Sequence, residues 1–375
     1  MTTDHPVARG SDPAAAPLLF LAHTGQRSGA EKVLLDVVAE ALRRGHRVSL
    51  ACPDGPLAKG LPPGVERVRV PRLGLAGETG AARVLALARL GISWVRAGAV
   101  VRSRVHRSPG TRVVVNSLMA TPVLRVAGVR GSWLVHDTVS SGKQRAALKV
   151  AGPAIRVAVA VSELTAEALS ETVIPTVVRH NGIALPTADA SHTRGEPPVV
   201  GMLAALTPWK GHRLLLEAAA RLPWVRVELT GTGFPGEEWY AEELRERASR
   251  PDLAGRVEFL GHVRPDEVLG RWDVAVNCSE LPEAGPISVL ELLAAGIPVV
   301  VSPRTSYLFP GVCVEVRPDD PAALADGIAE VLAWDDTTRA DRVAEGRRRV
   351  ADGHDLDRTV PRMLDALIAV PPPER

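Results

Sequence analysis

The chain has 375 residues, 46% of them hydrophobic and 23% charged, which excludes a disordered protein. Its 45 Lys and Arg against 43 Asp and Glu leave a net charge of +2, without the basic excess of a nucleic-acid-binding protein. The three cysteines, Cys52, Cys278 and Cys313, lie far apart with no CxxC, which points to a reducing compartment and no zinc site, and no uninterrupted apolar run approaches the roughly 18 residues of a membrane span.

From the first apolar stretch onward, short β-branched runs alternate with longer helical patterns. Ala14 to Ala22 follows a leader with Asp4 and Asp12 and no basic cluster, so it reads as a first buried strand rather than a signal peptide. Strands are expected at Leu18–Ala22, Val48–Cys52, Val113–Asn116, Trp133–His136 and Val157–Ser162, and then at Val199–Leu203, Val225–Thr230, Val257–Leu260, Val274–Cys278 and Pro298–Ser302. Helical patterns fall between them, as at Glu31–Arg44, His212–Leu222 and Glu237–Ser249, and Thr338–Val370 reads as one further helical segment. This alternation predicts an α/β protein with parallel sheets covered on both faces.

The break at 185–198, LPTADASHTRGEPP, reads as a linker between two doubly wound, Rossmann-like domains. The resulting division is a disordered extension at 1–17, a first Rossmann-like domain at 18–190, a second at 191–355 and a C-terminal helix at 356–375 able to cross back to the first domain. Doubly wound domains bind ligands beyond the carboxyl ends of their strands, which directs attention to the cleft expected between two of them.

The most informative stretch is CSELPEAGPISVLELLAAGIPVVVS, 278–302. A strand ends near Cys278, a loop follows with Glu280 and Glu283, and a helix starts near Pro286, a residue favoured at the first helical position. Glu291 is expected on an apolar face with Val289, Leu290, Leu292 and Leu293, where a carboxylate is costly unless hydrogen-bonded. The helix N-terminus suits an anion such as a diphosphate. Glu283 and Glu291 can therefore bracket a nucleotide sugar; equally, Glu283 can cap the helix and Glu291 can be partly exposed. A second cluster, TPWKGH at 207–212, places Lys210, one of five lysines, between a strand end and a helix. There it can meet a phosphate as a point charge, although position alone favours a solvated loop lysine.

LTPWKGHRLLLEAAARL, LTGTG, VEFLGHV and the Glu-x7-Glu segment Glu283–Glu291 followed by AAGIPVV occur in that order. Together they resemble the donor-binding half of glycosyltransferase family 4, the retaining GT-B enzymes (glycosyl transferases group 1). SGAEKVLLDVV (28–38), VHD (135–137), VSELTAEAL (161–169) and HNGI (180–183) resemble the N-terminal half more weakly. The resemblance covers roughly residues 18–335. It implies two Rossmann-like domains facing each other across a cleft and transfer of a sugar from a nucleoside diphosphate sugar to an acceptor hydroxyl, with no cofactor and no metal. It also implies that Lys210 binds the donor diphosphate, Glu291 the ribose, and Glu283 the sugar near its anomeric centre. Backbone groups around His262 would read the base, and Gly231, Gly285 and Ile287 would lie among the donor-binding positions. Gly29 would approach the donor phosphates or the acceptor, and His136 would lie beside the transferred sugar. The acceptor (secondary metabolite, lipid carrier or polysaccharide end) is not implied.

Two departures stand out. Ala204-Ala205-Leu206 replaces the family's Gly-Arg-Leu, so the lysine's arginine partner is missing, and Gly285-Pro286 replaces Phe-Gly, where proline offers no N–H. Arg213 or Arg304 can compensate; otherwise the chain is a donor-impaired homologue acting as a binding or regulatory subunit, while a sugar-nucleotide epimerase is a third reading. The literal GxGxxG at 231–236 is not in the first strand–helix unit and has no acidic residue after the next strand, so it does not indicate a dinucleotide cofactor. Asp355 and Asp357 form a DxD, for which helix capping is the expected role. Arg89, Arg96, Arg102, Arg104 and Arg107, interleaved with apolar residues, can form a basic surface for a membrane or a phosphorylated acceptor, with a solvated helix face as the preferred reading.

Overall fold

The computed structural model describes residues 16–74, 80–139, 142–186, 194–233, 236–305, 307 and 309–369. The expected extension at 1–17 lies almost wholly outside the described residues, as do 187–193 of the linker and 234–235 of the GxGxxG loop. The chain forms two compact units, one of residues 1–179 with 360–375, the other of residues 180–359.

Among its described residues the first unit holds seven strands: β1 Leu18–Leu21, β2 Val48–Cys52, β3 Glu66–Arg69, β4 Arg112–Val115, β5 Gly131–Val135, β6 Ile155–Ala160 and β7 Thr176–Val178. They pair in parallel in the order β3-β2-β1-β4-β5-β6-β7. The central strands β1, β4 and β5 are buried on both faces, which is why they read as apolar runs. The outer β3 and β7 escaped the sequence reading because they are short edge strands; β3 reads Glu-Arg-Val-Arg.

The second unit repeats the plan with β8 Val199–Leu203, β9 Arg226–Thr230, β10 Val257–Gly261, β11 Val274–Asn277, β12 Val299–Val301 and the two-residue β13 Val314–Glu315. Their parallel order is β10-β9-β8-β11-β12-β13. In each unit the order reverses beside the first strand, between β1 and β4 and between β8 and β11. Loops leaving these pairs diverge to opposite faces and open the crevice in which doubly wound sheets take ligands.

The segment expected as one helix, Thr338–Val370, is two: Asp336–His354 and Leu356–Ile368. Asp355 separates them with an extended backbone and accepts from the Asp357 amide at 3.0 Å, as expected for a cap. The break has a tertiary cause, since the Ile183 amide and carbonyl bond to His354 O and Leu356 N, both at 2.9 Å. These bonds tie residues 180–183 to the second unit. The last helix belongs to the first, where Ser132 Oγ donates to Leu367 O at 2.6 Å and Arg44 pairs with Asp365 at 2.5 Å.

Helix Gly80–Arg107 carries the basic cluster Arg89, Arg96, Arg102, Arg104 and Arg107. Arginines interrupt every apolar run, yet within Ala82–Arg107 one 18-residue window reaches a mean hydropathy of 1.6, enough by length and composition for a membrane span. Leu90, Ala97 and Val101 are buried, and Gly98 abuts Val126. The outward side is apolar as well as basic: Val84, Ile92 and Val95 are 70%, 54% and 59% exposed beside the exposed Arg89, Arg96 and Arg102.

In the second unit the buried Trp272 closes over β8. A side chain at Gly201 would collide with its ring at 1.8 Å, and its Nε1 donates to the buried Glu228 at 2.8 Å. Trp272→Ala is expected to cost about 3–5 kcal/mol, whereas Trp224→Ala, at a 46% exposed position, is expected to change stability by less than about 0.5 kcal/mol. Chemical denaturation followed by far-UV circular dichroism measures both.

Candidate functional site

The second unit brings together residues that the sequence separates by more than seventy positions. After β8 the chain makes a short 3-10 turn, Pro208–Lys210, before helix His212–Ala220. Gly211 joins them with φ +84°, and a side chain there would meet Cys278 O at 2.2 Å, so only glycine lets this turn lie against the end of β11. The Glu280 amide donates to Trp209 O at 2.7 Å and fastens the loop after β11 to the turn after β8. Within this frame Lys210 Nζ lies 2.7 Å from Glu283 Oε2, with the two side chains 16% and 5% exposed. The ammonium also stands 4.3 Å from the centre of the Trp209 ring. Glu283 is further held by Asn277 Nδ2 at 3.3 Å, by the Ser279 hydroxyl and, through its own amide, by Arg304 O at 2.8 Å. Lys210 is thus not a solvated loop lysine, and Glu283 spends its carboxylate on a buried ion pair rather than on capping.

Pro286 occupies the N-cap, one position earlier than expected, and helix Ile287–Ala295 begins at Ile287. The first-turn amides of such a helix have no helical acceptor and project beyond its N-terminus. Asn181 supports the loop before it: Nδ2 donates to Gly285 O at 3.0 Å, and the Asn181 amide donates to the Tyr307 hydroxyl at 3.2 Å. His354 Nδ1 donates in turn to Asn181 O at 2.8 Å. Glu291 corrects the expectation of an apolar face. It is half-buried on the same stripe as Ser288, while Val289, Leu290, Leu292 and Leu293 form the buried face.

Gly231 ends β9 at φ +112°, where a side chain would strike Ala204 O at 2.1 Å. Its amide donates to Gly261 O at 2.7 Å, and the exposed His262 follows. His262 stands at the end of the outer strand, two strands from β8 and so about 10 Å from it. Arg213 and Arg304 do not fill the place of the absent arginine: Arg213 pairs with Glu243, and Arg304 forks onto both oxygens of Asp319 at 2.7 Å.

The remaining expected residues lie in the first unit, at the carboxyl ends of β1, β4 and β5. Gly29 is exposed and opens helix Gly29–Arg43. Glu31, two residues on, is buried and accepts from the Ser28 amide at 3.2 Å and the Ser28 hydroxyl at 2.5 Å. That S-x-x-E box was legible in the sequence. His136 is half-buried after β5, with Nε2 3.2 Å from Asn116 Oδ1. Burial, then His23, pushes its pKa down to about 3; burial, then Arg72, pushes that of His23 to about 4. Burial raises the carboxyl pKa of Glu31 and of Asp137, which accepts from the Leu118 amide at 2.7 Å. The strand ends thus collect uncharged imidazoles beside carboxyls that hold their protons more tightly than in water. Asn116, Asn181, Asn277 and Ser279 were not anticipated, because a lone polar residue after a strand has no distinguishing local pattern.

With this geometry in place, comparison with known proteins is informative. Residues 197–333 match the family model described as Glycosyl transferases group 1. A stretch of 111 residues is 37% identical to the lipopolysaccharide core biosynthesis glycosyltransferase LpsE of Rhizobium meliloti (strain 1021), spanning 29% of this chain and about a third, 30%, of that protein. HepE of Anabaena, solved in complex with UDP and glucose, superposes with a TM-score of 0.76 at 22% identity, over 95% of this chain and 100% of that one. Sucrose-phosphate synthase from Thermosynechococcus elongatus gives 0.71 at 20% identity, over 92% and 97%. At these identities the likeness is one of fold, and that fold is GT-B. The matched segment contains Lys210, Glu283 and Glu291, whereas His136 and Gly29 lie outside it.

Because the two imidazoles bind protons less readily folded than unfolded, where the pKa is about 6.5, their contribution to stability is complete above that pH and is lost as pH falls toward 4. The raised carboxyls of Glu31 and Asp137 act in the opposite sense, so a difference between variants isolates the imidazole. His136→Phe is expected to remove up to about 1.4 kcal/mol per pH unit of acid sensitivity below pH 6.5, measured as the pH dependence of the denaturation midpoint against the parent chain.

Proposed function

We propose that the chain is a retaining glycosyltransferase that transfers a sugar from a nucleoside diphosphate sugar, UDP- or GDP-linked, to an acceptor hydroxyl without a metal or other cofactor. The observation that carries this reading is the convergence of Lys210 and Glu283 at the ends of β8 and β11, beside the start of helix Ile287–Ala295, within the segment that matches the group 1 family model. An ammonium and a helix N-terminus together suit a diphosphate. In this reading the diphosphate takes Lys210 from Glu283, which frees that carboxylate for the transferred sugar near its anomeric centre. Glu291 holds the ribose, Gly231, Gly285 and Ile287 line the donor, and backbone groups around His262 meet the base. His136 serves the transferred sugar, and Gly29 the donor phosphates or the acceptor. The acceptor oxygen bonds to the anomeric carbon on the face from which the diphosphate departs, and the departing phosphate takes the hydroxyl proton. Catalysis is then chiefly positioning and charge stabilisation.

HepE, solved with UDP and glucose, and LpsE, named for lipopolysaccharide core synthesis, support a nucleotide-sugar donor and a saccharide-containing acceptor. A lipid carrier or a secondary metabolite is also compatible. We place the reaction in the cytoplasm, a reading supported by three buried, unpaired cysteines.

One observation favours a second reading, a donor-impaired binding or regulatory subunit. Position 205 is alanine, Arg213 and Arg304 are engaged by other carboxylates, and Lys210 is already paired. Calorimetric titration with UDP- and GDP-sugars separates the two, since the subunit reading predicts no heat of binding.

For the enzyme, a donor-hydrolysis screen across nucleotide sugars identifies the donor first. Lys210→Ala is then expected to lower transfer by about tenfold to a hundredfold, the worth of one charged hydrogen bond, with Glu291→Ala in a similar range. Unchanged turnover in both purified variants overturns the site assignment.

A further inference from the structure

Asn116 is not among the positions that the transfer reading uses, yet it controls the one imidazole that reading places beside the sugar. It follows β4, and its backbone amide donates to Leu21 O at 3.0 Å, which fixes it against the end of β1. Its side chain is 1% exposed, so neither amide atom can turn to water. One end faces Ala30 O, 3.4 Å from Nδ2, in the first turn of helix Gly29–Arg43. A carbonyl oxygen only accepts, so the NH2 end of the amide must point there. The opposite end, Oδ1, then faces His136 Nε2 at 3.2 Å. Oδ1 also only accepts, so the hydrogen of a neutral imidazole must sit on Nε2.

The frame around this chain of contacts is stiff. Asp137 accepts from the Leu118 amide at 2.7 Å, which ties the end of β5 to the turn after β4. The Asn116 contact is the only hydrogen bond of the His136 ring among the described residues.

We infer that Asn116 is a positioning residue that locks His136 as its Nε2–H tautomer, so that unprotonated Nδ1 is the nitrogen offered to a hydroxyl of the bound sugar or acceptor. The ligand class follows: Nδ1 accepts a hydrogen bond from an uncharged O–H, whereas it offers no hydrogen to a phosphate oxygen. This role rests on the transfer reading for its use, but the tautomer itself does not.

The test separates the two. In full-length protein labelled with 15N-histidine, the signal lost in His136→Gln identifies the ring. The parent chain is expected to show a neutral imidazole with hydrogen on Nε2. Asn116→Leu, which cannot accept, is expected to lose that exclusive tautomer, and Asn116→Asp, which still presents an acceptor, to keep it. In the transfer assay Asn116→Leu is expected to lose at least about tenfold in kcat, as misplacement of a catalytic group does, with KM for the donor within about twofold. Asn116→Asp is expected to recover part of the loss. A parent ring with hydrogen on Nδ1, or a ring signal unmoved by Asn116→Leu, overturns the inference. Retention of the tautomer in a chain that transfers no sugar from any donor upholds the lock and removes only the transfer reading. A circular dichroism melt of each variant guards against loss of fold.

Discussion

The arrangement of the second unit turns on the ion pair between Lys210 and Glu283. Two charges taken from water cost several kcal/mol each, and their attraction repays this only with good geometry and further hydrogen bonds. The surroundings supply both: a 2.7 Å contact, Asn277 and Ser279 on the carboxylate, and the Trp209 ring under the ammonium. The pair exists because β8 and β11 are neighbours in the sheet though not in the chain. These contacts keep a charged, buried site in order although position 205 is alanine.

The first unit solves a different problem at the equivalent strand ends. Burial holds His23 and His136 neutral and raises the carboxyl pKa of Glu31 and of Asp137. The second unit presents charge that suits an anion, and the first presents neutral donors and acceptors that suit hydroxyls. The chain builds these two environments on two sheets of like strand order.

Much of this was legible in the sequence, and the exceptions have physical causes. Most of the ten strands read correctly are rich in β-branched and apolar residues, as buried parallel strands are, although β6, β9 and β10 also carry Arg156, Arg226, Glu228 and Glu258. The edge strands β3, β7 and β13 could not, because one side is free of a neighbour and polar residues are tolerated there. Lys210 and Glu283 were legible as candidates, since a lysine in a strand-to-helix turn and a carboxylate before a helix are each suggestive. That they would meet was not, and nor was the engagement of Arg213 and Arg304 elsewhere. Pair contacts of this kind depend on strand order, which local patterns do not encode.

By itself, therefore, the sequence determined the α/β class, the parallel strands, the helix start at 286–287 and the glycines that its turns require, because these follow from periodicity, burial and backbone sterics within a few residues. Only the tertiary structure decided which side chains share an environment: Lys210 with Glu283, Asn181 with Gly285, and Asn116 with Ala30 and His136. Those meetings are set by which strand ends lie side by side, and hydrogen-bond direction across such a junction depends on every partner being in place at once.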